Sequence, residues 1–358
     1  MNKTNIIKYM LTTVIGAYPK PKYLKLPDWF NADGGTDTQY PTKDYHDAIK
    51  KMGSEAESIF QKATEEVIKD QIECGIDIIT DGEVRRENYI HYHCRHLDGI
   101  DFNKLTKKVA RTGNYECWLP TITGTVKAKE AFLVREWQLA QKMSSKPVKI
   151  TIPGPMTITD TISNEFYNSP KKMGEDLAEA IKVEINRLAE AGCKYIQVDE
   201  PLFARKPKEA IEYGIKNLEK CFEGIINKKI DKITHICCGY PDKLDVVNYP
   251  KAPLSSYHEI AEMLDNSIID SVSIEDAHRY NDLNLLNKYK NKKIIFGVLK
   301  IASSKIDSEE DIYKRVKEAL SHIDKERLIL APDCGLGHLP RELSKKKLKI
   351  MSVVANKF

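Results

Sequence analysis

The sequence predicts an α/β protein and, within that class, a closed (β/α)8 barrel of parallel strands, a TIM barrel. Three observations predict it. Short β-branched or apolar runs recur along the chain, most are followed by a helical pattern, and polar residues with reactive groups follow the runs. We expect one domain over residues 1–358, with long loops after the first and second strands.

Eight segments have the composition of buried strands. Each is rich in aliphatic or β-branched residues and closes in a cluster of turn-forming or polar residues. The predicted strands are 11–15, 76–80, 148–152, 195–198, 233–237, 270–274, 294–298 and 328–331. This number of parallel strands is the one that a (β/α)8 barrel needs.

Helical patterns lie between most of these strands. The predicted helices are 54–74, 173–191, 207–226, 257–264, 308–323 and 340–356. Ser308 followed by Asp311 is typical of a capping box at the start of a helix. A doubly wound open sheet is the alternative fold, but its Gly-rich phosphate turn is missing after the first strand.

Two long segments interrupt the alternation of strands and helices. Residues 20–50 are rich in Pro, Gly, Tyr and Asp, and residues 86–146 contain Trp118 and Trp137. They follow the first and second strands. Such loops lie over one mouth of a barrel and shape its pocket.

Composition and charge exclude several classes of partner. The 358 residues include 56 Lys and Arg against 52 Asp and Glu, a formal charge of +4 that is spread along the chain, so we expect no nucleic-acid partner. No apolar run approaches the about 20 residues that span a bilayer, and the first residues lack a signal-peptide pattern. We therefore expect a cytoplasmic protein with no membrane partner. The eight cysteines have no pairing rhythm, which makes some of them candidates for metal binding.

Polar residues gather at the carboxyl ends of the predicted strands. The clusters are 16–19, 81–83, 153–155, 199–201, 235–238, 275–276, 300 and 332–335. Because a barrel brings these ends to one face, residues that are distant in sequence become neighbours there.

His235 and Cys237 alternate on a predicted strand and point to the same side. Cys334 and Glu275 arrive from other strand ends, and two thiolates with an imidazole and a carboxylate favour Zn²⁺. The alternatives are a core histidine with buried cysteines, including Cys238, or a purely structural zinc. Since the ligands come from three separate strands, we favour a catalytic zinc from which Glu275 yields to substrate.

A zinc ion with thiolate ligands favours one chemistry over another. It lowers the pKa of a bound thiol and so activates a substrate thiol for alkylation. Hydrolysis is the competing use and would need a general base such as Asp333 or Asp276. Thiolate ligands donate charge to the metal, which makes it a poorer activator of water.

Other charged residues are candidates for substrate binding. Glu83 and Asp199 end the second and fourth strands, where they could hold an ammonium group, or they could be ordinary loop or capping acids. An anionic group could be bound by cations that are otherwise simply solvated. These cations are Arg85, Arg86, Arg341 and Lys300.

At these positions the chain resembles the cobalamin-independent methionine synthases. The matching motifs are TTVIGAYP at 12–19, DGEVRREN at 81–88, HLDGIDF at 96–102, KPVKITIPGPMTI at 146–158, IQVDEP at 196–201, HICC at 235–238, SIEDAHR at 273–279 and APDCGLG at 331–337. The resemblance covers nearly the whole chain and implies a zinc-bearing barrel. From the resemblance we expect a single-barrel, core-type member without the family's first, duplicated barrel.

The resemblance also implies roles for individual residues. The zinc ligands would be His235, Cys237, Glu275 and Cys334. Glu83 and Asp199 would be the catalytic acids that hold the amino group of homocysteine, next to a substrate-binding turn formed by Ile15, Gly16 and Ala17.

Three positions differ from the two-barrel, folate-dependent members. They have a serine where this chain has Ala17, a folate-stacking tryptophan where it has Thr161, and a histidine acid in the stretch that here reads Lys-Ile-Ala-Ser at 300–303. Loss of the acid and of the stacking ring weakens the case for methyltetrahydrofolate as donor. A methyl corrinoid protein, which has a better leaving group, is the other candidate.

Three functions follow from these observations. The first is a zinc-dependent S-methyltransferase that methylates homocysteine to methionine. The second acts on another small thiol, as the related epoxyalkane:coenzyme M transferases do. The third is a non-catalytic barrel with a structural zinc. Coenzyme M has no amine, so the presence of both Glu83 and Asp199 favours homocysteine.

Overall fold

A computed structural model of the chain describes residues 9–28, 41–110, 115–225, 229–239, 243–246 and 249–358. The strands, in chain order, are β1 Ile79–Thr80, β2 Leu97–Ala110, β3 Tyr115–Ala128, β4 Val148–Pro153, β5 Ser163–Asn164, β6 Tyr195–Asp199, β7 Asp231–Ile236, β8 Ser271–Ile274, β9 Lys293–Leu299 and β10 Leu328–Pro332. The part of the predicted 20–50 loop at 29–40 lies outside the described residues.

Helices separate most of these strands. They are α1 Pro41–Met52, α2 Ala56–Glu73, α3 Tyr89–Cys94, α4 Leu133–Lys142, α5 Pro155–Thr161, α6 Pro170–Ala191, α7 Leu202–Arg205, α8 Pro207–Glu209, α9 Ile215–Cys221, α10 Ser256–Asp265, α11 Glu309–Ala319 and α12 Arg341–Ala355. Short 3-10 turns cover Gly53–Glu55, Leu283–Lys288 and Lys325–Arg327, and a π-helical turn covers Ala210–Gly214.

Among the described residues, the main sheet is parallel and has seven strands in the order β1-β4-β6-β7-β8-β9-β10. Its strands β4, β9 and β10 are almost entirely buried because both faces of the sheet are covered. The first predicted strand forms only single parallel bridges, from Thr12 to Leu330 of β10 and from Thr13 to Ile78 beside β1. It therefore contacts the two edge strands of a curled sheet.

The first strand is shorter than predicted because its backbone leaves the sheet after Thr13. The carbonyl of Val14 accepts a hydrogen bond from Lys149, and that of Ile15 accepts one from Gln197. Side chains thus replace the missing strand neighbours. Apolar side chains fill the space within the curled sheet, in a separate buried cluster of Ile15, Ile233, Ile295, Ile329 and Ala331.

Helix ends follow the local sequence. Ser169 caps α6, Pro170 occupies its first turn, and Gly192 ends it with φ 101°, a left-handed conformation that suits glycine. Ser308 Oγ accepts from the Asp311 amide 3.2 Å away, so the predicted start of the helix at 308 is confirmed. The prediction of one continuous helix over 207–226 is wrong, because the π-helical turn interrupts the helix and α9 ends at Cys221.

The segment after the second strand is more structured than a loop. It contains α3, an antiparallel hairpin of β2 and β3, and α4, and β5 joins β3 to complete a second sheet. The sequence pattern did not indicate this hairpin. Within the described residues, no helix combines the length and apolar character needed to cross a membrane.

Candidate metal and substrate site

The structure brings His235, Cys237 and Cys334 together. One ligand atom from each lies within 4.8 Å of the others, although Cys334 follows β10 and the other two residues lie on or directly after β7. His235 Nε2 is 3.3 Å from Cys334 Sγ, and Nδ1 is 2.9 Å from the Ser273 hydroxyl on β8. The Ser273 contact orients the ring so that Nε2 faces the thiols, as expected for a metal-binding histidine.

The three side chains also shift one another's ionisation. A hydrogen bond from Cys334 holds the pKa of the Cys237 thiol well below its ordinary value despite burial, and His235 lowers it further. Burial alone would lower the pKa of His235, but its hydrogen bond with Cys237 raises it. A thiolate beside an imidazole is the donor set that a soft divalent cation prefers.

Glu275 lies beside this group and has a different partner. Its Oε2 accepts a hydrogen bond from Lys251 Nζ at 2.8 Å, and both side chains are largely buried. Burial raises the pKa of Glu275 to about 8, the charge of Cys237 raises it as well, and Lys251 opposes both effects. Within the described chain, the closely spaced group that could hold a metal ion contains the histidine and two cysteines without Glu275.

Glu83 sits on a strained turn at the carboxyl end of β1. Its φ is 55°, which is uncommon for a residue with a side chain, and its amide donates to Asp81 Oδ1 at 3.0 Å. Its Oε1 accepts from the Thr151 hydroxyl at 2.7 Å and lies 3.4 Å from Arg86 Nη1. Burial raises the pKa of Glu83, although Arg86 and Thr151 act in the opposite direction.

Asp199 ends β6 and is in parallel register with His235 on β7. It is 8% exposed, and its Oδ1 accepts from Gln197 Nε2 at 2.7 Å. Burial raises the pKa of Asp199 to about 7; His235 lowers it and Glu83 raises it. The two predicted substrate acids are therefore electrostatic neighbours, and Asp199 adjoins a member of the candidate metal group.

The predicted turn Ile15, Gly16 and Ala17 approaches both parts of the site. A Cβ atom on Gly16 would lie 2.4 Å from Glu83 Oε1, so only glycine allows this approach. On the other side, the Leu336 amide donates to the Ala17 carbonyl at 2.7 Å, which ties the turn to the segment after Cys334.

Tyr89 was not singled out from the sequence. It begins α3, which is capped by Asn88, and it lies near four of the predicted site residues. Burial raises the pKa of the Tyr89 phenol, and the negative charges of these four neighbours raise it further. The four neighbours are Asp199, Cys237, Cys334 and Glu83. The available signal was a short segment rich in Tyr and His after a strand, but the orientation of these side chains depends on the tertiary fold.

Several other predicted candidates have structural contacts. Asp333 accepts from the amides of residues 276–278 and contacts His278 Nδ1 at 2.7 Å, and Asp276 pairs with Arg315. The two potential bases for hydrolysis are thus engaged. Arg85 pairs with Glu57, Arg341 pairs with Asp70 and Glu66, Lys300 is exposed, and Cys238 packs in the main core.

The comparisons with known proteins agree with the motifs. The family model described as cobalamin-independent synthase, catalytic domain, matches residues 10–357. Methionine synthase from Sulfolobus acidocaldarius is 30% identical over 344 residues, covering 96% of this chain and 90% of that protein. The enzyme of the same name from Saccharolobus solfataricus is 30% identical over 343 residues, covering 95% and 92%.

Solved structures show the same relationship. A B12-independent methionine synthase from Shewanella sp. W3-18-1, solved in complex with selenomethionine, is 27% identical with a TM-score of 0.83, covering 98% of this chain and 97% of that chain. A Listeria monocytogenes structure at 20% identity and a TM-score of 0.70 has the same fold. This chain therefore belongs to the cobalamin-independent methionine synthase family.

Proposed function

We propose that this chain is a zinc-dependent methyltransferase that transfers a methyl group to the thiol of homocysteine and forms methionine. One observation carries the proposal: two buried acids, Glu83 and Asp199, adjoin a compact group of one imidazole and two thiols. The two carboxylates suit an ammonium group, and the imidazole with the two thiols suits a metal that binds sulfur. The methionine synthases among its relatives support this assignment.

The donor set fits zinc. His235 Nε2, Cys237 Sγ and Cys334 Sγ would hold the ion, and Glu275 is the proposed fourth ligand. A zinc ion bound there would lower the pKa of a substrate thiol so that it reacts as the thiolate. Three protein ligands plus one exchangeable position is the pattern of catalytic rather than structural zinc.

The chain's own residues would position the amino acid. Glu83 and Asp199 would accept hydrogen bonds from its ammonium group, and their buried surroundings would strengthen these contacts. Arg86 and Thr151 hold Glu83 Oε1, and these contacts would fix the orientation of the carboxylate that receives the ammonium group. Ile15, Gly16 and Ala17 would line the same end of the substrate, beside the segment that follows Cys334.

For the methyl donor we propose a methylated corrinoid protein, with methyltetrahydrofolate as the alternative. A folate donor needs an acid to protonate its leaving nitrogen. His278 reaches the loop after β9, but its Nδ1 contacts Asp333 and its Nε2 accepts from the Ala302 amide at 3.1 Å. Both ring nitrogens are therefore occupied by structural contacts, which favours a donor that needs no acid.

We also propose that the sheet closes into a (β/α)8 barrel formed by one domain. The bridges of Thr12 and Thr13 to opposite edges of the seven-stranded sheet support an eighth, very short strand. Closure would place the ends of β1, β6, β7 and β10 around one mouth.

A turnover assay tests the function. The zinc-loaded protein should form methionine from homocysteine with methylcobalamin as the corrinoid donor, and coenzyme M should not replace homocysteine. Turnover with methyltetrahydrofolate instead would establish the alternative donor. Glu83→Gln and Asp199→Asn should each raise the KM for homocysteine by about 10-fold or more, because each removes a charge-assisted hydrogen bond. Asp265→Asn is the matched control, since Asp265 is a buried acid that binds Asn291 instead. A KM unchanged in both site variants would contradict the proposed substrate.

A further inference from the structure

Lys149 on β4 is a fully buried lysine with two neutral partners. Its side chain is 0% exposed, and its Nζ donates to the Val14 carbonyl at 2.6 Å and to Gln197 Oε1 at 2.5 Å. In the described part of the chain it forms no ion pair within 4.0 Å. Because a buried cation without a counter-charge is costly, its hydrogen bonds call for a functional explanation.

Lys149 determines which way the Gln197 amide points. A protonated lysine offers only donors, so the amide must turn its oxygen toward Nζ. Gln197 Nε2 then faces two acceptors, the Ile15 carbonyl at 3.0 Å and Asp199 Oδ1 at 2.7 Å. The opposite orientation would place the amide oxygen against a carbonyl and a carboxylate. The amide orientation that Lys149 requires is therefore the one in which Gln197 donates to Asp199.

The same two side chains hold the start of the substrate turn. After Thr13 the backbone leaves the sheet, and the carbonyls of Val14 and Ile15 are bound by Lys149 and Gln197. Gly16 and Ala17 follow directly. One hydrogen-bonded chain therefore connects the turn and Asp199, which approach the substrate from different strands.

We propose that Lys149 is a positioning residue for the amino-acid end of the substrate: through Gln197 it sets the Asp199 carboxylate, and through Val14 it sets the turn at 15–17. This inference rests on the proposed function. Burial lowers the pKa of Lys149 to about 7, with Asp199 among the charges that oppose the shift. A neutral amine still carries two N–H donors, so both hydrogen bonds survive deprotonation.

The test compares two thiols that differ only in the amine. Dissociation constants of homocysteine and of 4-mercaptobutyrate, its analogue without the amino group, are measured by calorimetry on zinc-loaded protein. Lys149→Met should reduce the preference for homocysteine by about 10-fold, since Asp199 contacts only the ammonium group. Gln197→Met should do the same and serves if Lys149→Met does not fold. Lys292→Met is the control, because Lys292 is also buried but donates to the Ser267 carbonyl.

A double-mutant comparison separates positioning from general loss of structure. In an Asp199→Asn background, Lys149→Met should cause no further loss of the preference, because both changes act on one contact. Loss of the Val14 contact should weaken the binding of both thiols to the same extent, so the ratio of the two dissociation constants reports on Asp199. An unchanged preference for homocysteine in Lys149→Met, or a full additional loss in the double variant, would overturn the role of Lys149 in setting Asp199. Failure of the wild-type protein to prefer homocysteine would instead overturn the proposed function itself.

Discussion

Lys251 Nζ lies 2.8 Å from Glu275 Oε2, so the predicted fourth zinc ligand, Glu275, forms an ion pair with a lysine. The two residues are 24 positions apart, and Lys251 also lies over the Tyr249 ring, with Nζ 4.8 Å from its centroid. Glu275 thus has a counter-charge available when it is not a metal ligand. An exchangeable ligand needs such a second partner, because an unpaired buried carboxylate is strongly unfavourable.

Lys251→Met should therefore weaken homocysteine binding to the zinc-loaded protein by about 10-fold while zinc is retained. The reason is that Glu275 could no longer leave the metal for an ion pair. Calorimetric titration with homocysteine measures the effect. In a Glu275→Gln background the same substitution should change little, and an unchanged dissociation constant in the single variant would argue against a two-position carboxylate.

Removal of either thiol of the candidate metal group should abolish tight zinc binding. Cys237→Ser or Cys334→Ser should weaken zinc binding by more than about 100-fold, as measured by competition with a chromophoric chelator. Cys238→Ser provides the control, because the neighbouring Cys238 packs in the main core. Circular dichroism of the metal-free protein should show an intact fold; melting on zinc removal would instead indicate a structural ion.

Homocysteine affinity should depend on pH more steeply than the affinity for a thiol without an amine. The pKa of Asp199 is raised to about 7 by burial, and an ammonium partner would lower it, so binding releases a proton below that pH. For either ligand, loss of the thiol proton gives a slope of about one in a plot of log affinity against pH. For homocysteine, ionisation of Asp199 adds up to about one more to this slope. Affinity therefore rises as the pH increases toward 7.

The same titration on Asp199→Asn isolates this contribution. The variant should show the shallower slope with both homocysteine and 4-mercaptobutyrate, since an amide does not titrate. Equal slopes for the two ligands in the wild-type protein would show that no carboxylate ionises as the ammonium group binds.

Lys347 on α12 holds the loop that follows β9. Its fully buried Nζ donates to the carbonyls of Lys300 and Lys305, at 3.1 and 2.6 Å, and to Asp307 Oδ2 at 2.7 Å. Lys347→Met should lower the free energy of unfolding by about 3–5 kcal/mol, because it leaves the largely buried Asp307 carboxylate with the Lys300 amide but without its cation. Denaturant titration measures this change, and adding Asp307→Asn should restore part of it. A loss under about 1 kcal/mol would mean that water replaces the lysine.

Some of the architecture could be predicted from local pattern alone. Seven of the eight predicted strands are present as strands, because fully buried parallel strands are apolar runs bounded by turn residues. The start of α11 was predictable because the Ser308 side chain caps the amide of Asp311, only three residues later. The hairpin of β2 and β3 was missed because polar residues such as Lys104, Lys107 and Asp101 interrupt it, as in a loop.

By itself the sequence determined the composition of the site: which thiols, imidazole and carboxylates follow the strands, and hence the chemistry that they could perform together. Only the tertiary structure decided how each group is held, because hydrogen bonds between residues far apart in the chain have no local signal. Gln197 and Ile15 are 182 residues apart, and Lys149 and Val14 are 135 apart. Neither Lys149 inside the sheet nor Lys251 beside Glu275 could be recognised until folding placed their partners within reach.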